Sequence, residues 1–251
     1  MNVLWISANK LGFETFKSSQ SLFPKSTTIL TLSSDSTTVM YDGVSTSSWD
    51  QFGFPVVRIR KISESFEIIN KINPDIVIMC GWRQRITKDL LDIPKMGWIG
   101  FHPTMLPKGR GSAPIINSIL KGWNKSGLTM FYLTERLDDG DIIGQQPFEI
   151  DKNDHASDVY DKVIKSGQDL AKKYFPLLFN GEAPRKPQSE KEATFFDKPL
   201  LRNNMIDLDS EPLETAFRKI KAFSSPYNGA FIRKGKEKII IWRAQLETLQ
   251  E

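Results

Sequence analysis

Apolar runs of strand length alternate with stretches of helical periodicity over the first 180 residues of the chain. Residues 2–8, 76–80 and 98–102 are apolar on nearly every position, which is typical of strands buried on both faces of a sheet. Residues 13–23 and 63–72 instead repeat their apolar side chains at helical spacing. This alternation predicts an α/β fold with a mainly parallel sheet and helices on both faces.

The pattern changes after residue 180. Residues 156–178 read as one long amphipathic helix, with His155 at its N-terminus and Gly181 at its end. Residues 182–192 are rich in Pro, Lys and Glu, which indicates a linker. A helix over residues 212–223 and a β-hairpin around Gly235 are expected beyond it.

The predicted division is therefore a catalytic domain over residues 1–185 and a small β-rich C-terminal subdomain over residues 193–251, with the linker at about 182–192.

Composition narrows the class of protein. The hydrophobic share of 39% and the charged share of 25% are ordinary for a globular domain. The net charge of +4 is mild, and the basic residues form no block, so no nucleic-acid partner is expected. No apolar run approaches ~18 residues and no signal peptide is recognisable, so no membrane association is expected. The single Cys80, expected to be buried, fits a reducing cytoplasm.

The candidate chemistry begins at a histidine. The chain has two histidines, and His102 stands where the strand 98–102 ends and a loop rich in Pro and Gly begins. About 35 residues later comes an acidic stretch, Leu137-Asp138-Asp139-Gly140-Asp141. Ligands bind at the carboxyl edge of a parallel sheet. We therefore expect His102 and Asp138 to meet in one site, and the sequence shows no cluster with metal-ligand spacing.

These two stretches carry a resemblance to a known family. His102-Pro103-Thr104-Met105-Leu106-Pro107, then Arg110-Gly111, then Leu137-Asp138-Asp139-Gly140-Asp141-Ile142 resemble the motifs of the folate-dependent formyltransferase superfamily. The family pattern is Asn-x-His-x-Ser-Leu-Leu-Pro, followed by Arg-Gly and later by Leu-Asp-x-Gly-Asp. The resemblance implies a Rossmann-like domain and N10-formyltetrahydrofolate as co-substrate. One position departs, because Gly100 stands where the family has the Asn of an Asn-His-Asp triad.

The resemblance also implies a role for each motif residue. His102 and Asp138 would be catalytic. Seven residues would form the walls around the folate: Gly81, Trp82, Arg83, Ile86, Asp139, Asp141 and Ile142. Five would contact phosphates of a substrate: Lys10, Lys108, Gly109, Arg110 and Gly111. The plainer alternatives are an ordinary turn for the first set and solvent-exposed charge for the second.

The implied reaction is attack of an amine on a formyl carbon. The amine must lose a proton, the leaving folate nitrogen must gain one, and the carbonyl oxygen gains negative charge. An imidazole with a carboxylate partner suits the proton transfers. Losing the oxyanion donor that the Asn would supply costs ~10²–10³ in rate, unless backbone N–H groups, water, Gln84 or Asn117 replace it.

Three acceptors compete within the family: glycinamide ribonucleotide, methionyl-tRNA and a nucleotide-linked amino-deoxy sugar. The length favours the amine of a nucleotide-linked amino-deoxy sugar, with a homodimer formed through the C-terminal segment. The alternatives are a truncated methionyl-tRNA formyltransferase and, because of Gly100, a non-catalytic folate- or nucleotide-binding homologue. The sequence does not choose the nucleotide, the sugar or the position of the amine.

Overall fold

The computed structural model describes residues 1–198 and 204–248. Its strands are β1 Val3–Ile6, β2 Thr27–Leu32, β3 Val56–Ile59, β4 Ile76–Met79, β5 Trp98–His102, β6 Arg110–Gly111, β7 Lys125–Tyr132, β8 Ile142–Glu149, β9 Phe195–Phe196, β10 Met205–Ile206, β11 Ala230–Lys234 and β12 Glu237–Ile241. Its α-helices are α1 Lys10–Ser19, α2 Phe66–Ile72, α3 Lys88–Leu91, α4 Pro114–Leu120, α5 Ala156–Phe179 and α6 Leu213–Phe223.

Seven strands form the main sheet in the order β3-β2-β1-β4-β5-β7-β8. The strands from β3 to β5 in this order pair in parallel, while β7 and β8 join antiparallel at one edge. Helices α1, α2 and α3 follow the parallel strands β1, β3 and β4, as crossover connections between parallel strands require. The predicted α/β fold with a mainly parallel sheet is confirmed.

Two apolar layers bury the two faces of this sheet. Trp5 and Ile78 pack in one layer with α1 and α5, and Leu4 and Val77 pack in the other with α2 and α3. Successive side chains of a strand point to opposite faces, so continuous apolar runs are needed to fill both layers. Each fully buried side chain of this size stabilises the fold by about 1.5–3 kcal/mol relative to exposure.

The start of α4 differs from what the sequence suggests. Ser112 has a side chain that is typical of a helix N-cap, and it stands two residues before Pro114, which predicts that the helix begins directly after Ser112. The structure instead places Ala113 at the cap position with a φ of 47°, and Pro114 is the first helical residue. The Ser112 N–H donates to the carbonyl of Phe196 at 3.5 Å, which continues the pairing of β6 with β9. The chain therefore turns one residue later.

The C-terminal strands form a second, smaller sheet in the order β10-β11-β12. Ile206, Ala216 and Ile220 share its small core, whereas Ala222 and Phe223 at the end of α6 belong to the main core. The β-rich character expected for this part of the chain is confirmed. The division into two domains stays a prediction.

The segment predicted to be a linker lies against the main domain. The backbones of Lys186 and Ile142 exchange hydrogen bonds of 2.8 and 3.0 Å. A few residues later, β9 pairs in parallel with β6. Residues 182–198 therefore run beside the loops that follow β5 and β7.

Among the described residues, every helix is too short or too polar to cross a membrane.

His155 is the N-cap of α5, as predicted. Its ring is buried, with Nδ1 3.0 Å from the carbonyl of Asn153 and Nε2 3.4 Å from the backbone N–H of Ala244. A carbonyl only accepts, so Nδ1 carries the hydrogen and Nε2 accepts from Ala244. Burial lowers the pKa of His155, and the positive charges of Arg243 and Lys221 lower it further. The hydrogen bond to the Asn153 carbonyl and the charge of Asp158 act in the opposite direction but do not cancel this shift.

This arrangement predicts a loss of stability in mild acid. The unfolded chain takes up a proton at its ordinary histidine pKa of 6.5, while the folded chain resists it, so stability falls as pH drops below about 6.5. Asparagine also caps helices but does not titrate. Urea unfolding at pH 7.5 and 5.5 should show a smaller pH effect for His155→Asn than for the unmodified protein. Equal pH effects in the two proteins would contradict the assignment.

Candidate active site

Three strands of the main sheet end at one cleft. β1, β4 and β5 lead to Asn9, Gly81 and His102, and all three residues line a cavity of about 570 Å³. This is the edge where parallel sheets bind ligands, because the strand ends and the turns that follow them point there. The fold thus brings polar groups to one place without breaking the apolar layers.

His102 is buried and has a polar contact on each ring nitrogen. Nε2 lies 2.7 Å from the carbonyl of Gly109, and Nδ1 lies 3.5 Å from Oδ2 of Asp138. Because a carbonyl only accepts, Nε2 donates, and the neutral ring presents its lone pair on Nδ1 toward the carboxylate. The His102–Asp138 pair can therefore hold one proton between Nδ1 and Oδ2. This pairing was expected from the sequence, and the structure brings the two side chains together.

Asp138 has an uncommon backbone. Its φ of 51° is in the left-handed region, which few residues other than glycine adopt. Its Oδ2 accepts a hydrogen bond of 2.8 Å from the backbone N–H of Gly111. This bond joins the loop after β7 to the loop after β5 and directs the carboxylate to His102.

The loop after His102 is anchored by β7 and β8. Thr129 stands opposite His102 in the β5–β7 register, and its hydroxyl donates to the carbonyl of Thr104 at 2.6 Å. The same hydroxyl accepts from the Leu106 N–H at 3.1 Å, and Gln145 donates to the Leu106 carbonyl at 2.8 Å. The loop is thereby fixed on the side away from the cleft.

Gly81 is required by its contact with Asn9. Its φ is +70°, and a Cβ at this position would lie 1.7 Å from Oδ1 of Asn9. The same Oδ1 accepts from the Gly12 N–H at 3.0 Å, so Asn9 caps α1 and cannot move away without a cost.

The part of the chain that bears this site is similar to known proteins. The family described as formyl transferase matches residues 58–174, which include both His102 and Asp138. The methionyl-tRNA formyltransferase of Lysinibacillus sphaericus is 40% identical over 159 residues, covering 62% of this chain and 51% of that protein. The chain belongs to the formyltransferase superfamily.

Solved structures share the fold over nearly all of this formyltransferase-family chain. A 4-N formyltransferase from Francisella tularensis aligns with a TM-score of 0.76 and 22% identity, covering 99% of this chain and 98% of that one. A sugar 3-N-formyl transferase, solved in the presence of dTDP and 5-N-formyl-THF, aligns with a TM-score of 0.70 and 18% identity, covering 89% and 79%. The chain spans about half to two thirds of the length of the curated relatives it matches.

Four of the seven residues predicted to contact folate line the cleft of this formyltransferase-family site. They are Gly81, Trp82, Arg83 and Ile86. Asp139 and Asp141 instead line a neighbouring depression, where Asp139 pairs with Arg136 at 2.8 Å. Ile142 is buried under the site among Leu106 and Phe131. These last three side chains do not line the cleft. Their assignment as folate contacts stays a prediction.

The predicted phosphate contacts are also divided. Gly111 lines the cleft, and the Gly109 carbonyl holds His102. Lys10 is exposed and pairs with Asp161 at 3.6 Å. Lys108 is exposed outside the cleft lining.

Arg110 differs most from the expectation. Its side chain is 1% exposed, and its guanidinium donates to Gln188 and Glu190, which lowers the pKa of Glu190. Arg110 therefore binds other side chains of the protein, and its role in substrate binding stays a prediction.

The place of the family Asn is filled by apolar side chains. A Cβ on Gly100 would lie 2.4 Å from Cδ2 of Leu133 and 3.2 Å from Cε1 of Phe131. The two amides considered as substitutes are engaged elsewhere. Gln84 bonds with Ile62, Thr38 and Arg60, and Asn117 donates to the carbonyls of Ser112, Ala113 and Asp197.

A polar cluster in the same cleft escaped the sequence analysis. The Asn9 amide donates to Asp42 at 2.8 Å, and the Tyr160 hydroxyl donates to the same carboxylate. The Leu11 N–H donates to that hydroxyl at 3.1 Å. Burial, together with the charge of Asp42, raises the pKa of Tyr160. Asn9 could have been recognised from the sequence as a candidate site residue, because it follows the first strand. Asp42 could not, because it lies in a long polar loop without a distinguishing pattern.

Cys80 is buried, as predicted, and burial raises the pKa of its thiol. Over residues 1–198 and 204–248, no group of three or more His, Cys, Asp or Glu side chains could hold a metal ion.

The filled space at Gly100 can be tested directly. Gly100→Asn should lower the free energy of unfolding by about 1–3 kcal/mol, since its Cβ meets Leu133. The double variant Gly100→Asn/Leu133→Ala should recover part of that loss relative to the sum of the single variants, as measured by urea unfolding. Strict additivity of the two changes would show that Leu133 is not the obstacle.

Proposed function

We propose that the protein transfers a formyl group from N10-formyltetrahydrofolate to the amine of a nucleotide-linked amino-deoxy sugar. The observation that carries this proposal is the His102–Asp138 pair, buried at the carboxyl edge of the sheet with an imidazole lone pair facing a carboxylate. Membership of the formyltransferase superfamily gives the reaction type.

The pair suits the proton balance of this reaction. The attacking amine loses one proton, the bond from the formyl carbon to the folate nitrogen breaks, and that nitrogen gains one proton. A single group that takes up a proton and gives it back therefore serves both steps. His102 would accept at Nδ1, and the Asp138 carboxylate would stabilise the resulting imidazolium. The Gly109 carbonyl holds the ring in the tautomer that leaves Nδ1 free to accept.

The cleft fits the folate co-substrate, which supplies the electrophilic formyl carbon. A flat heteroaromatic ring needs apolar walls with a few polar groups between them. Trp82, Ile86 and Leu133 supply such walls, and Gly81 lets backbone approach the cleft.

The other lining residues support a nucleotide-linked acceptor. The rings of Tyr41 and Tyr227 meet edge to face with centroids 5.8 Å apart. The Arg83 guanidinium lies 4.7 Å from the centroid of the Tyr41 ring. Aromatic rings stack on bases, and guanidinium groups pair with phosphates. Two of the similar solved structures are themselves named as sugar or 4-N formyltransferases.

The second candidate is formyl transfer to initiator methionyl-tRNA. It is favoured by the curated relatives, which are methionyl-tRNA formyltransferases at 31–40% identity. The third is folate or nucleotide binding without catalysis, favoured by the absence of a side-chain amide at Gly100.

A substrate panel separates these candidates. The protein is incubated with N10-formyltetrahydrofolate and, in separate reactions, with nucleotide-linked 3-amino and 4-amino sugars or charged initiator tRNA. We expect a mass gain of one formyl group on a sugar nucleotide. A gain on the tRNA alone would overturn the sugar assignment, and folate binding without any product would support the non-catalytic one.

Two substitutions test the catalytic pair in the same assay. His102→Ala and Asp138→Asn should each reduce formyl transfer by about 10²–10⁴-fold, because the first removes the group that exchanges the proton and the second removes the carboxylate that stabilises the imidazolium. His155→Asn, at the other histidine, serves as the matched control and should retain activity at pH 7.5. Near-normal turnover in both site variants would rule out the assignment.

We also propose a cytoplasmic homodimer, as expected from the sequence. The support is the C-terminal hairpin, where Ile239 on β12 and the following Trp242 are 70% and 45% exposed. Light scattering should give a molar mass of two chains. Ile239→Lys should reduce the measured mass to that of one chain, because it places a charge on the exposed apolar face. A monomer at micromolar concentration would contradict the dimer.

A further inference from the structure

One segment after α5 contacts both loops of the site. The side-chain amide nitrogen of Gln188 donates to the carbonyl of Asp138 at 2.9 Å and to the carbonyl of Gly140 at 2.8 Å. Farther along, the hydroxyl of Thr194 accepts from the Gly109 N–H at 2.8 Å, and the Thr194 carbonyl accepts from the Arg110 N–H at 2.9 Å. We call residues 186–196 the anchor segment.

The orientation of the Gln188 amide is set by Arg110. The Arg110 guanidinium donates to Oε1 of Gln188 from Nε at 3.1 Å and from Nη2 at 2.9 Å. A guanidinium has no acceptor and a carbonyl has no donor, so the Gln188 amide has one possible arrangement: oxygen toward Arg110 and NH₂ toward Asp138 and Gly140. Glu190 pairs with the same guanidinium at 3.0 Å and holds it from the other side.

Asp138 needs such support because of its backbone. Its left-handed φ of 51° is unfavourable for a residue with a side chain, and it persists only where neighbours determine it. Gln188 fixes the Asp138 carbonyl, and the Gly111 N–H fixes the Asp138 carboxylate. The two bonds together determine where Oδ2 lies relative to Nδ1 of His102.

We propose that Gln188 is a positioning residue that, oriented by Arg110, holds Asp138 against His102. The expected effect on catalysis rests on the proposed function, whereas the placement of Asp138 can be tested without any substrate. It also gives Arg110 a definite role inside the protein, at a position where a surface contact with phosphate was expected.

The substitution Gln188→Glu isolates the two donated bonds. A carboxylate still accepts from Arg110, but it presents an oxygen to the carbonyls of Asp138 and Gly140. Gln188→Met, which removes every polar contact without adding charge, is the second variant should the first not fold. Gln168→Glu is the matched control, since Gln168 is a half-buried glutamine on α5 with no side-chain hydrogen bond in the described part of the chain.

The two histidines make the first measurement simple. In a protein labelled with ¹³C at the histidine Cε1 position only, His102 and His155 give one imidazole cross-peak each. We expect Gln188→Glu to shift the His102 peak in the direction given by Asp138→Asn, with the His155 peak unmoved. The control Gln168→Glu should move neither peak. An unmoved His102 peak in both folded Gln188 variants would overturn the proposal, whether or not the protein is a formyltransferase.

The second measurement is steady-state kinetics of formyl transfer. We expect kcat to fall by about 10- to 100-fold for Gln188→Glu, with KM for both substrates within about twofold, because misplacement of a catalytic group affects the transition state more than binding. A rise in KM with unchanged kcat would overturn the positioning role. If the unmodified protein forms no product, the proposed function fails and the imidazole shift still decides the position of Asp138.

Discussion

The burial of both faces of the parallel sheet is the constraint on which the site depends. β1 and β4 bury nearly every side chain between two apolar layers, so polar groups can be placed only where these strands end. Asn9, Gly81 and His102 occupy such ends, and a parallel arrangement brings them to one edge. An unpaired polar side chain within β1 or β4 would enter an apolar layer and cost several kcal/mol.

At this edge of the sheet, two backbone groups determine the tautomer of His102 and the position of its carboxylate partner. The Gly109 carbonyl takes the Nε2 hydrogen, and the Gly111 N–H turns the Asp138 carboxylate toward Nδ1. The neutral imidazole therefore accepts a proton more readily than it donates one to a developing oxyanion. Leu133 fills the space beside Gly100, so in the proposed reaction no side-chain amide at this position meets the charge on the carbonyl oxygen.

The sequence predicted those parts of the fold that depend on local patterns. The strand Trp98–His102 was predicted with its bounds, because five residues bounded by Gly97 and Pro103 leave little choice. The pairing of His102 with Asp138 was also expected, since the two residues stand in motifs that both resemble those of one family. Arg110 could not be placed in this way, because its partners Gln188 and Glu190 are 78 and 80 residues away and no local pattern encodes such a contact. The polar composition of residues 182–192 is equally typical of a linker and of a segment that hydrogen-bonds to loops.

The late position of the anchor segment has a consequence for the order in which the protein is assembled. The strands of the main sheet and the loops that bear His102 and Asp138 are synthesised before residue 150. Gln188 and Thr194 emerge later, after the whole of α5. A nascent chain can therefore bury its apolar layers while both loops still lack their outer hydrogen bonds, and contacts of such separation close slowly. The hydrogen bonds from the anchor segment to both loops can therefore form only after the whole of α5 has been synthesised.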